Sequence, residues 1–318
     1  MDTFSDSTYK VIRDKISVHL SGGLGNQMFQ YMAGYALSKK TDKKLLLNQN
    51  WFSNPWVLHK NHAAYVSKRK MDSLQFSSVY DTPRDRSPTP RDGRFERSLA
   101  KLSERKLRSL GIASEESFAS GEWSEPNSIR RLTGYFMSPK YFLDSNPTDV
   151  FKHLVVPLSS WSSDFLPNLN DHRCIGVHIR LGDYIFLGDK VIPQEDYFLS
   201  GIDFLKAEMG LNTRVYFFTD EPLKIKELFP KLLKLGEVVS PPSYTTSVEN
   251  LILLSKCTGF VCSNSTFSWW AATLSNAPAE WIVRPSYFFT DMPDIDTQVD
   301  LWQPFSYKIH PILGEKVK

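Results

Sequence analysis

The feature that most constrains the fold is a short apolar run with polar side chains at its end. Residues 175–179 are predicted to form a buried strand, which delivers His178, Arg180 and Asp183 to its C-terminal end. In open α/β sheets, ligands bind outside the carboxyl ends of the strands. An arginine there suits an anion, because its planar fork can contact two phosphate or carboxylate oxygens at once. The alternative is a core strand after which Arg180 and Asp183 form a local salt bridge.

The second half of the chain alternates predicted strands and helices, as a parallel α/β sheet does. Residues 146–170 are rich in Pro, Ser and Asn, which is typical of a crossing between domains, so we place a domain boundary near residue 160. Beyond the first strand, the pattern predicts strands at 214–218, 238–239, 259–262 and 281–284, and helices at 193–209, 222–228, 248–254 and within 263–274.

Hydroxyl and amide side chains follow the strand predicted at 259–262. Asn264, Ser265, Thr266 and Ser268 lie where the next helix begins. A helix N-terminus presents free N–H groups and a partial positive charge to an anion. One residue suffices to cap a helix, whereas five of the six positions 263–268 carry polar side chains. The pattern favours a phosphate or diphosphate site, with simple N-capping as the alternative.

A pair of carboxylates, Asp220 and Glu221, follows the strand predicted at 214–218. A carboxylate at a strand end can accept two hydrogen bonds from the N1–H and N2–H edge of guanine. The alternative is that Asp220 caps the helix that begins at Pro222. An arginine, a hydroxyl-rich helix start and a carboxylate thus each follow a different strand. Together they predict a nucleotide-diphosphate pocket that contains no metal.

The first half opens with a strand predicted at 16–20, a glycine-rich turn, a helix predicted at 28–40 and a strand at 44–48. The turn contains Gly22, Gly23 and Gly25 and ends in Asn26 and Gln27. This layout lets backbone N–H groups approach a ligand closely at a helix N-terminus. It is neither the dinucleotide pattern nor a P-loop. The alternative is a tight turn that needs glycine only for its backbone angles.

Two further stretches of the first half suggest binding surfaces. Between residues 60 and 110 there are 13 Lys+Arg against 6 Asp+Glu, so this insertion could turn a basic face to a membrane surface or a phosphate-linked acceptor. A solvated insertion is the alternative. Further on, Tyr135 and Phe136 end a strand predicted at 132–136 and, with Tyr141, could form a stacking platform for a sugar, although aromatic residues also serve the core.

The composition narrows the class and location of the protein. The net charge of +3 does not indicate a nucleic-acid partner, and no apolar run is long enough for a membrane span. Three cysteines without disulfide or zinc spacing fit buried thiols in a reducing compartment. With no signal-peptide pattern at the start, we expect a cytoplasmic protein. His59 and His62 lack partner ligands, and Asp294 and Asp296 are interpreted as loop acidity, so we predict no metal site.

Four motifs together resemble the α-1,2-fucosyltransferases, glycosyltransferase family eleven. They lie at 19–31, 134–136, 178–184 and 264–272, in the order of that family, and the resemblance runs from about residue 16 to 289. It implies an α/β fold of the GT-B type, with two Rossmann-like domains facing a cleft. The acceptor-side domain would be 1–160 with the basic insertion 50–110, and the GDP-fucose-binding domain would be 161–318.

The resemblance also implies an activity. The enzyme would transfer L-fucose from GDP-β-L-fucose, with inversion and without a required metal, to the 2-hydroxyl of a galactose in an oligosaccharide such as an O-antigen. Arg180 would hold the diphosphate, and Asp220 or Glu221 would bind guanine. The remaining donor contacts would be His178, Asn264, Ser265, Thr266, Ser268, Gly23, Gly25 and Asn26, with Gln27, Tyr135 and Phe136 toward the acceptor.

One position departs from the family pattern, and two functional alternatives follow. The family has a second arginine where this chain has Leu181. This loss should weaken the site more than abolish it, but a non-catalytic protein that binds a GDP-sugar or a glycan stays an alternative. A fucosyltransferase of another linkage, or a protein O-fucosyltransferase, is the other. Asp183 is the candidate base by its position, and it could equally orient Arg180 or His178. The acceptor could be lipid-linked.

Overall fold

The computed structural model describes residues 14–53, 84–85, 113–117, 120–151, 156–170, 173–182, 184, 192–288 and 302–306. The chain divides into two compact units, Met1–Val155 and Val156–Lys318. Each unit is built on one sheet in which every described strand pair is parallel. The α/β class predicted from the sequence is confirmed.

The sheet of the first unit has five strands in the order β3-β2-β1-β5-β4. Since β5 pairs directly with β1, the strand order reverses between these two neighbours. The strands are β1 (Lys15–His19), β2 (Lys44–Asn48), β3 (Arg84–Asp85), β4 (Ala113–Ser117) and β5 (Ile129–Gly134), and the helices are α1 (Leu24–Thr41), α2 (Pro147–Phe151) and the 3₁₀ turns Asn50–Ser53 and Pro139–Phe142.

Helix α1 forms the core of the first unit because it lies directly against β1. Apolar residues recur along it and are buried, Met28, Phe29 and Met32 among them. A Cβ atom on Gly34 would stand 2.2 Å from Val18 Cγ2, so the close approach of helix and strand requires glycine at this position. Packing of this kind, more than helix propensity, holds a helix in place.

The sheet of the second unit has six strands in the order β11-β10-β9-β6-β7-β8. Read from β8, this is the Rossmann order 3-2-1-4-5-6, with its reversal between β6 and β9. The strands are β6 (Cys174–Ile179), β7 (Arg214–Thr219), β8 (Glu237–Val239), β9 (Gly259–Val261), β10 (Ile282–Pro285) and β11 (Gln303–Phe305), and the helices are α3 (Ser160–Phe165), α4 (Pro167–Asn170), α5 (Glu195–Met209), α6 (Pro222–Leu228), α7 (Ser247–Leu254), α8 (Thr266–Thr273) and the 3₁₀ turns Leu232–Lys234 and Ala279–Trp281.

The core of the second unit lies between this sheet and its helices. Strand β6 is buried along its whole length, which explains its continuous apolar run. Side chains of β6, β7, α5 and α6 join in one cluster, with Phe198, Phe217 and Phe229 among its fully buried aromatic members. The three cysteines, Cys174, Cys257 and Cys262, are buried free thiols.

The sequence-based prediction of the elements was wrong at several places. Helix α1 begins at Leu24, so Asn26 and Gln27 belong to its first turn instead of the loop before it. Strands β3, β4 and β11 were not predicted, because they are short edge strands without a clear apolar pattern. The crossing at 146–170 contains the short helices α2, α3 and α4. Residues 95–110, whose apolar spacing in the sequence is also that of a helix, lie outside the described residues. No helix among the described residues is long and apolar enough to cross a membrane.

One buried carboxylate, Glu249, joins the start of helix α3 to the start of helix α7. It accepts a hydrogen bond from the backbone N–H of Ser159 at 2.7 Å and another from that of Thr246 at 2.9 Å. Ser159 is the N-cap of α3 and Thr246 the N-cap of α7, so one side chain serves two helix starts. Burial alone would raise the pKa of Glu249, but the hydrogen bonds from Thr246, Ser159 and Ser162 outweigh it and lower the pKa to about 2.

We predict that Glu249→Gln lowers the free energy of unfolding by about 2 kcal/mol at pH 7, because one of the two N–H groups loses its acceptor. The folded-state pKa of Glu249 is depressed, so its contribution is complete above the unfolded value of 4.5 and is lost as the pH falls toward about 2. Urea unfolding of wild type and variant from pH 7 to pH 3 measures the difference. The gap between the two should shrink at low pH. The exposed Glu227→Gln is the control, and equal losses in both variants at pH 7 would contradict the prediction.

Candidate active site

The reversal of strand order in the second sheet is bridged by a hydrogen bond. His178 Nδ1, at the end of β6, lies 3.0 Å from Ser263 Oγ, which follows β9. The imidazole also stacks on Phe267 of α8, with 5.2 Å between the ring centroids. Burial lowers the pKa of His178 to about 3; the charge of Arg180 acts in the same direction and that of Asp220 opposes it. The ring is therefore neutral near pH 7. Its contact with Ser263 lies at the strand reversal, which is where Rossmann-type sheets bind their ligands.

The guanidinium of Arg180 is held by a carboxylate from the neighbouring strand. Arg180 Nη1 lies 2.5 Å from Asp220 Oδ2, and the backbone N–H of Leu181 donates to Asp220 Oδ1 at 2.9 Å. The Arg180 guanidinium carbon also lies 5.6 Å from the centre of the Tyr184 ring. The side chains of Arg180 and Asp220 are about a fifth exposed, at 23% and 20%, so the pair lies at the protein surface yet is partly shielded from water. Asp220 thus fixes both the cation and the backbone that follows β6.

The capping interpretation of Asp220 does not describe its contacts. The N-cap of α6 is Glu221, and it makes no side-chain capping hydrogen bond, so Asp220 does not cap this helix. Its partners are Arg180 and Leu181, and beyond this ion pair Asp220 Oδ2 has no hydrogen-bond partner among the described residues. The proposed contact of Asp220 or Glu221 with guanine stays a prediction.

The structure also explains why leucine is accommodated at position 181. The Leu181 side chain is fully buried and joins the core cluster with Ile179 and Ile192. An arginine with this orientation would have to bury its charge or turn outward, since a buried unpaired charge is costly. In this chain residue 181 therefore contributes apolar packing to the core of the second unit, directly after Arg180.

The hydroxyl-rich start of α8 is a buried hydrogen-bonded segment. Ser265 is the N-cap and its Oγ accepts from the N–H of Phe267 at 3.3 Å. Ser268 Oγ contacts the carbonyl oxygens of Ser263 and Ser265 at 3.3 and 3.0 Å. Asn264 Nδ2 donates to the carbonyl of Phe288 at 2.6 Å, and Tyr184 Oη donates to the Asn264 carbonyl at 2.9 Å. Much of this polar set shapes the turn itself, as the capping alternative requires.

The residues with a predicted diphosphate role do come together at this edge. Thr266 is buried at the first position of α8, beside the N-cap. The His178–Ser263 bond brings this helix start to the end of β6, where Arg180 follows. The structure therefore gathers the strand-end arginine, its carboxylate and a helix N-terminus at one end of one sheet. Phosphate contacts by Ser265, Thr266 and Ser268 remain a prediction.

The first unit closes its own strand reversal with an amide side chain. Gln30 Nε2 donates to the Gly134 carbonyl at 2.9 Å and to Ser21 Oγ at 3.0 Å, while Gln30 Oε1 accepts from the N–H of Ser21 at 3.0 Å. This joins the end of β5 to the turn that follows β1. The N-cap of α1 is Gly23 with no side-chain capping bond, and a Cβ atom there would meet no atom within 4 Å.

Predicted ligand residues of this unit differ in exposure. Gly23 and Asn26 are partly exposed, whereas Gly25 is buried in α1. Gln27 is fully buried and its Nε2 donates to the Gly22 carbonyl at 3.0 Å, so it stabilises the turn. Their proposed contacts with the donor or the acceptor stay predictions.

The predicted aromatic platform is only partly exposed. Phe136 is 1% exposed and packs on Trp123 and Tyr141, so its ring belongs to the core, while Tyr135 is partly exposed. A Cβ atom on Gly134 would lie 2.1 Å from the Ser117 carbonyl oxygen, and Phe136 has a positive φ of 53°. Unusual backbone angles of this kind are often found at binding sites.

Several predicted features lie outside the described residues: Asp183, the basic insertion around 60–110 except for Arg84 and Asp85, His59, His62, Asp294 and Asp296. Within the described part of the chain, no group of three or more His, Cys, Asp or Glu side chains is arranged to hold a metal ion.

Sequence reasoning also missed three residues that organise the site. Ser263 pairs with His178, Tyr184 contacts both Arg180 and the turn before α8, and Gln30 bridges β1 and β5. Gln30 and Tyr184 lie inside two of the four family motifs, and Ser263 directly precedes the fourth. Most of their contacts join residues far apart in the sequence, up to 104 positions for the bond of Gln30 to Gly134, and spacing alone does not reveal them.

The chain folds into two Rossmann-like units, each with polar groups at its strand reversal, which is the arrangement of the GT-B type. The model of glycosyl transferase family 11 matches residues 126–288, just over half of the chain. The chain therefore belongs to glycosyl transferase family 11, which confirms the resemblance seen in its motifs.

Relatives of known name share most of this chain. It is 25% identical over 312 residues to an O-antigen biosynthesis glycosyltransferase, WbnK, of Escherichia coli, covering 89% of this chain and 98% of the relative. It is 26% identical over 285 residues to an alpha-1,2-colitosyltransferase of Escherichia coli, covering 85% and 93%. Among solved structures, the fucosyltransferase NodZ from Bradyrhizobium matches with a TM-score of 0.43 and 14% identity, over 82% of this chain and 93% of that one.

We predict that Asp220→Asn lowers transferase turnover by about 10- to 100-fold, because the guanidinium loses its anchor and small misplacements of such groups are costly. The free energy of unfolding should fall by only about 1–2 kcal/mol, because the pair is partly exposed. Steady-state kinetics with melting temperatures separates the two effects. Asp196→Asn is the matched control, since its ion pair with Lys231 is long, at 3.8 Å, and exposed. Full turnover in Asp220→Asn would show that Arg180 is positioned by other groups.

Proposed function

We propose that this glycosyltransferase transfers L-fucose from GDP-β-L-fucose, with inversion, to the 2-hydroxyl of a terminal galactose in an oligosaccharide. The observation that carries the proposal is the Arg180–Asp220 pair beside the His178–Ser263 bridge, at the strand reversal of the second sheet. A positioned cation there suits the diphosphate of a sugar nucleotide. The α-1,2 linkage is supported by the family and by the linkage in the name of one relative.

GDP-colitose is a second candidate donor, because that relative is named a colitosyltransferase. Colitose differs from fucose by lacking the 3-hydroxyl, so GDP-fucose and GDP-colitose would present the same nucleotide to Arg180. A site that hydrogen-bonds the 3-hydroxyl would discriminate strongly against the sugar that lacks it. Parallel assays with both donors decide between the two, and the ratio of kcat/KM values is the measure.

In the proposed mechanism, the GDP diphosphate leaves as the fucosyl ring gains oxocarbenium character. Negative charge grows on the β-phosphate, and Arg180 would neutralise it. The N-terminus of α8 would add the partial positive charge of its N–H groups from the other side of the strand reversal. Asp220 would act through Arg180 by holding the guanidinium in place before the charge develops, which is the condition for electrostatic stabilisation of a transition state.

We also propose that transfer needs no metal ion, because Arg180 and the start of α8 supply positive charge where the leaving group forms. In a GDP-release assay with galactose-terminated acceptors in EDTA, the wild type should release GDP only when an acceptor is present. Arg180→Ala should lose about 10²–10³ in rate. Arg214→Ala, at the amino end of β7 and exposed, is the control and should keep its rate. Release that appears only after a divalent metal is added would refute the metal-free mechanism.

The proton of the acceptor hydroxyl requires a base, and we propose Asp183, which lies three residues after Arg180 in the sequence. A phosphate oxygen of the departing GDP is the alternative acceptor of the proton. Turnover of Asp183→Asn measured from pH 5 to pH 9 separates them. A base role predicts a loss of about 10²-fold or more at every pH. Near-normal turnover across the range would remove Asp183 as the base.

The physiological acceptor is inferred from the named relatives, and the cellular location of the protein from its cysteines. By analogy with the named relatives, we propose an O-antigen or a similar oligosaccharide, which could be lipid-linked and reached at the inner face of a membrane through the basic insertion. A cytoplasmic location remains our proposal from the buried thiols. A protein that binds a GDP-sugar without turnover would retain GDP affinity yet release nothing in the assay above.

A further inference from the structure

The edge of the first sheet carries an aromatic and hydroxyl-rich surface that the proposed mechanism does not use. Trp123 lies in the connection between β4 and β5 and is only partly buried. Its ring contacts Tyr141 edge-on, with 4.6 Å between centroids, and Phe136 at 5.9 Å. Both partners are buried, at 3% and 1% exposure, whereas Trp123 itself stays partly exposed.

Hydroxyl groups adjoin this ring. Tyr141 Oη lies 2.6 Å from Ser120 Oγ and donates to Ser117 Oγ at 2.5 Å, while Ser117 Oγ and Ser120 Oγ are 3.2 Å apart. Ser120 is exposed, so one end of this hydroxyl chain is accessible. Hydroxyl groups can donate or accept, which suits partners that themselves carry several hydroxyls.

The turn between Ser120 and Trp123 is set tightly. Gly121 has a φ of +76°, and a Cβ atom there would lie 2.8 Å from Ser138 Oγ and 2.9 Å from Lys140 Cβ. The segment therefore packs against the chain that follows β5, and glycine is what allows it. Trp123 and Ser120 lie on either side of this turn, and both contact Tyr141.

The segment 115–125 carries four carboxylates and no basic side chain, while Lys140 packs against its turn at Gly121. Four glutamates, Glu115, Glu116, Glu122 and Glu125, lie within eleven residues of one another along this segment, and none is buried. Glu115 accepts a hydrogen bond from Ser124, the residue after Trp123, and Glu122 precedes Trp123, so we take these two carboxylates as the glutamate rim; Glu116 points to the other face of β4. Such a rim disfavours phosphate and sulfate groups, and carboxylates readily accept hydrogen bonds from sugar hydroxyls. The surface thus combines an apolar ring, one accessible hydroxyl and acceptors, as ligand sites for uncharged polar molecules do.

We propose that this surface, formed by Trp123, Ser120 and the glutamate rim, is a subsite for an uncharged pyranose of the acceptor oligosaccharide. The C–H face of the sugar would lie on the exposed side of the Trp123 indole, and its hydroxyls would bond to Ser120 and the rim. The inference rests on the proposed transfer to an oligosaccharide and adds the residues that bind the acceptor. It assigns no step of the reaction to Trp123.

The test compares Trp123→Ala and Trp123→Phe with the wild type in acceptor-dependent GDP release. Trp123→Ala should raise the KM for the acceptor about 10-fold while the KM for the donor changes less than about twofold, since a 10-fold change equals the loss of a single good stacking contact. Trp123→Phe keeps an aromatic face and should raise the KM for the acceptor only about two- to threefold. Trp161→Ala is the matched control: Trp161 is partly buried, stacks on Phe165 in the second unit and lies outside the proposed subsite.

A direct binding measurement keeps this inference separate from the proposed function. Saturation-transfer NMR with methyl β-D-galactopyranoside, and with a galactose-terminated trisaccharide, reports contact with the protein whether or not donor is turned over. Saccharide signals seen with the wild type and lost in Trp123→Ala, at an unchanged fold by circular dichroism, would support the subsite. Equal signals in both, or equal increases in donor and acceptor KM, would overturn it. Failure of GDP release in the wild type would count against the proposed function alone.

Discussion

The arrangement of the candidate site depends on one carboxylate. Asp220 leaves the end of β7 and bonds both to the Arg180 side chain and to the backbone of Leu181, which follow β6. A flexible arginine would lose considerable conformational entropy each time it bound a diphosphate. The ion pair with Asp220 already restricts the Arg180 side chain in the folded protein, so less conformational entropy is lost when a ligand binds. It also keeps a cation at the surface in one orientation, which is the geometry that anion recognition requires.

The two units solve the same structural problem with different chemistry. At a strand reversal, neighbouring loops diverge and leave a gap between them. The second unit closes its gap with the buried, neutral His178 bonded to Ser263, and the first unit with the buried Gln30 bonded to Ser21 and Gly134. Both bridges are neutral. Neutral bridges hold the loops without adding a charge that would compete with Arg180 for an anion.

How far the sequence predicts the structure depends on the range of the contacts involved. The apolar run of β6 and its polar end indicated the central strand and Arg180, since burial on both faces produces that pattern locally. The pairing of Arg180 with Asp220 joins positions 40 residues apart and follows from the adjacency of β6 and β7. Edge strands such as β4 carry no apolar pattern because only pairing defines them. Leu181 was noted as a missing arginine, but its place in the core is visible only in three dimensions.

The bonds of Glu249 determine where the second unit can be separated from the first. Ser159 caps α3 and gives its N–H to Glu249, which lies 90 residues further on. A chain that starts after Ser159 would lack the cap of α3 and would leave Glu249 Oε1 without the N–H that donates to it. An isolated second unit therefore has to include the residues just before α3, even though they carry no strand and no candidate ligand contact.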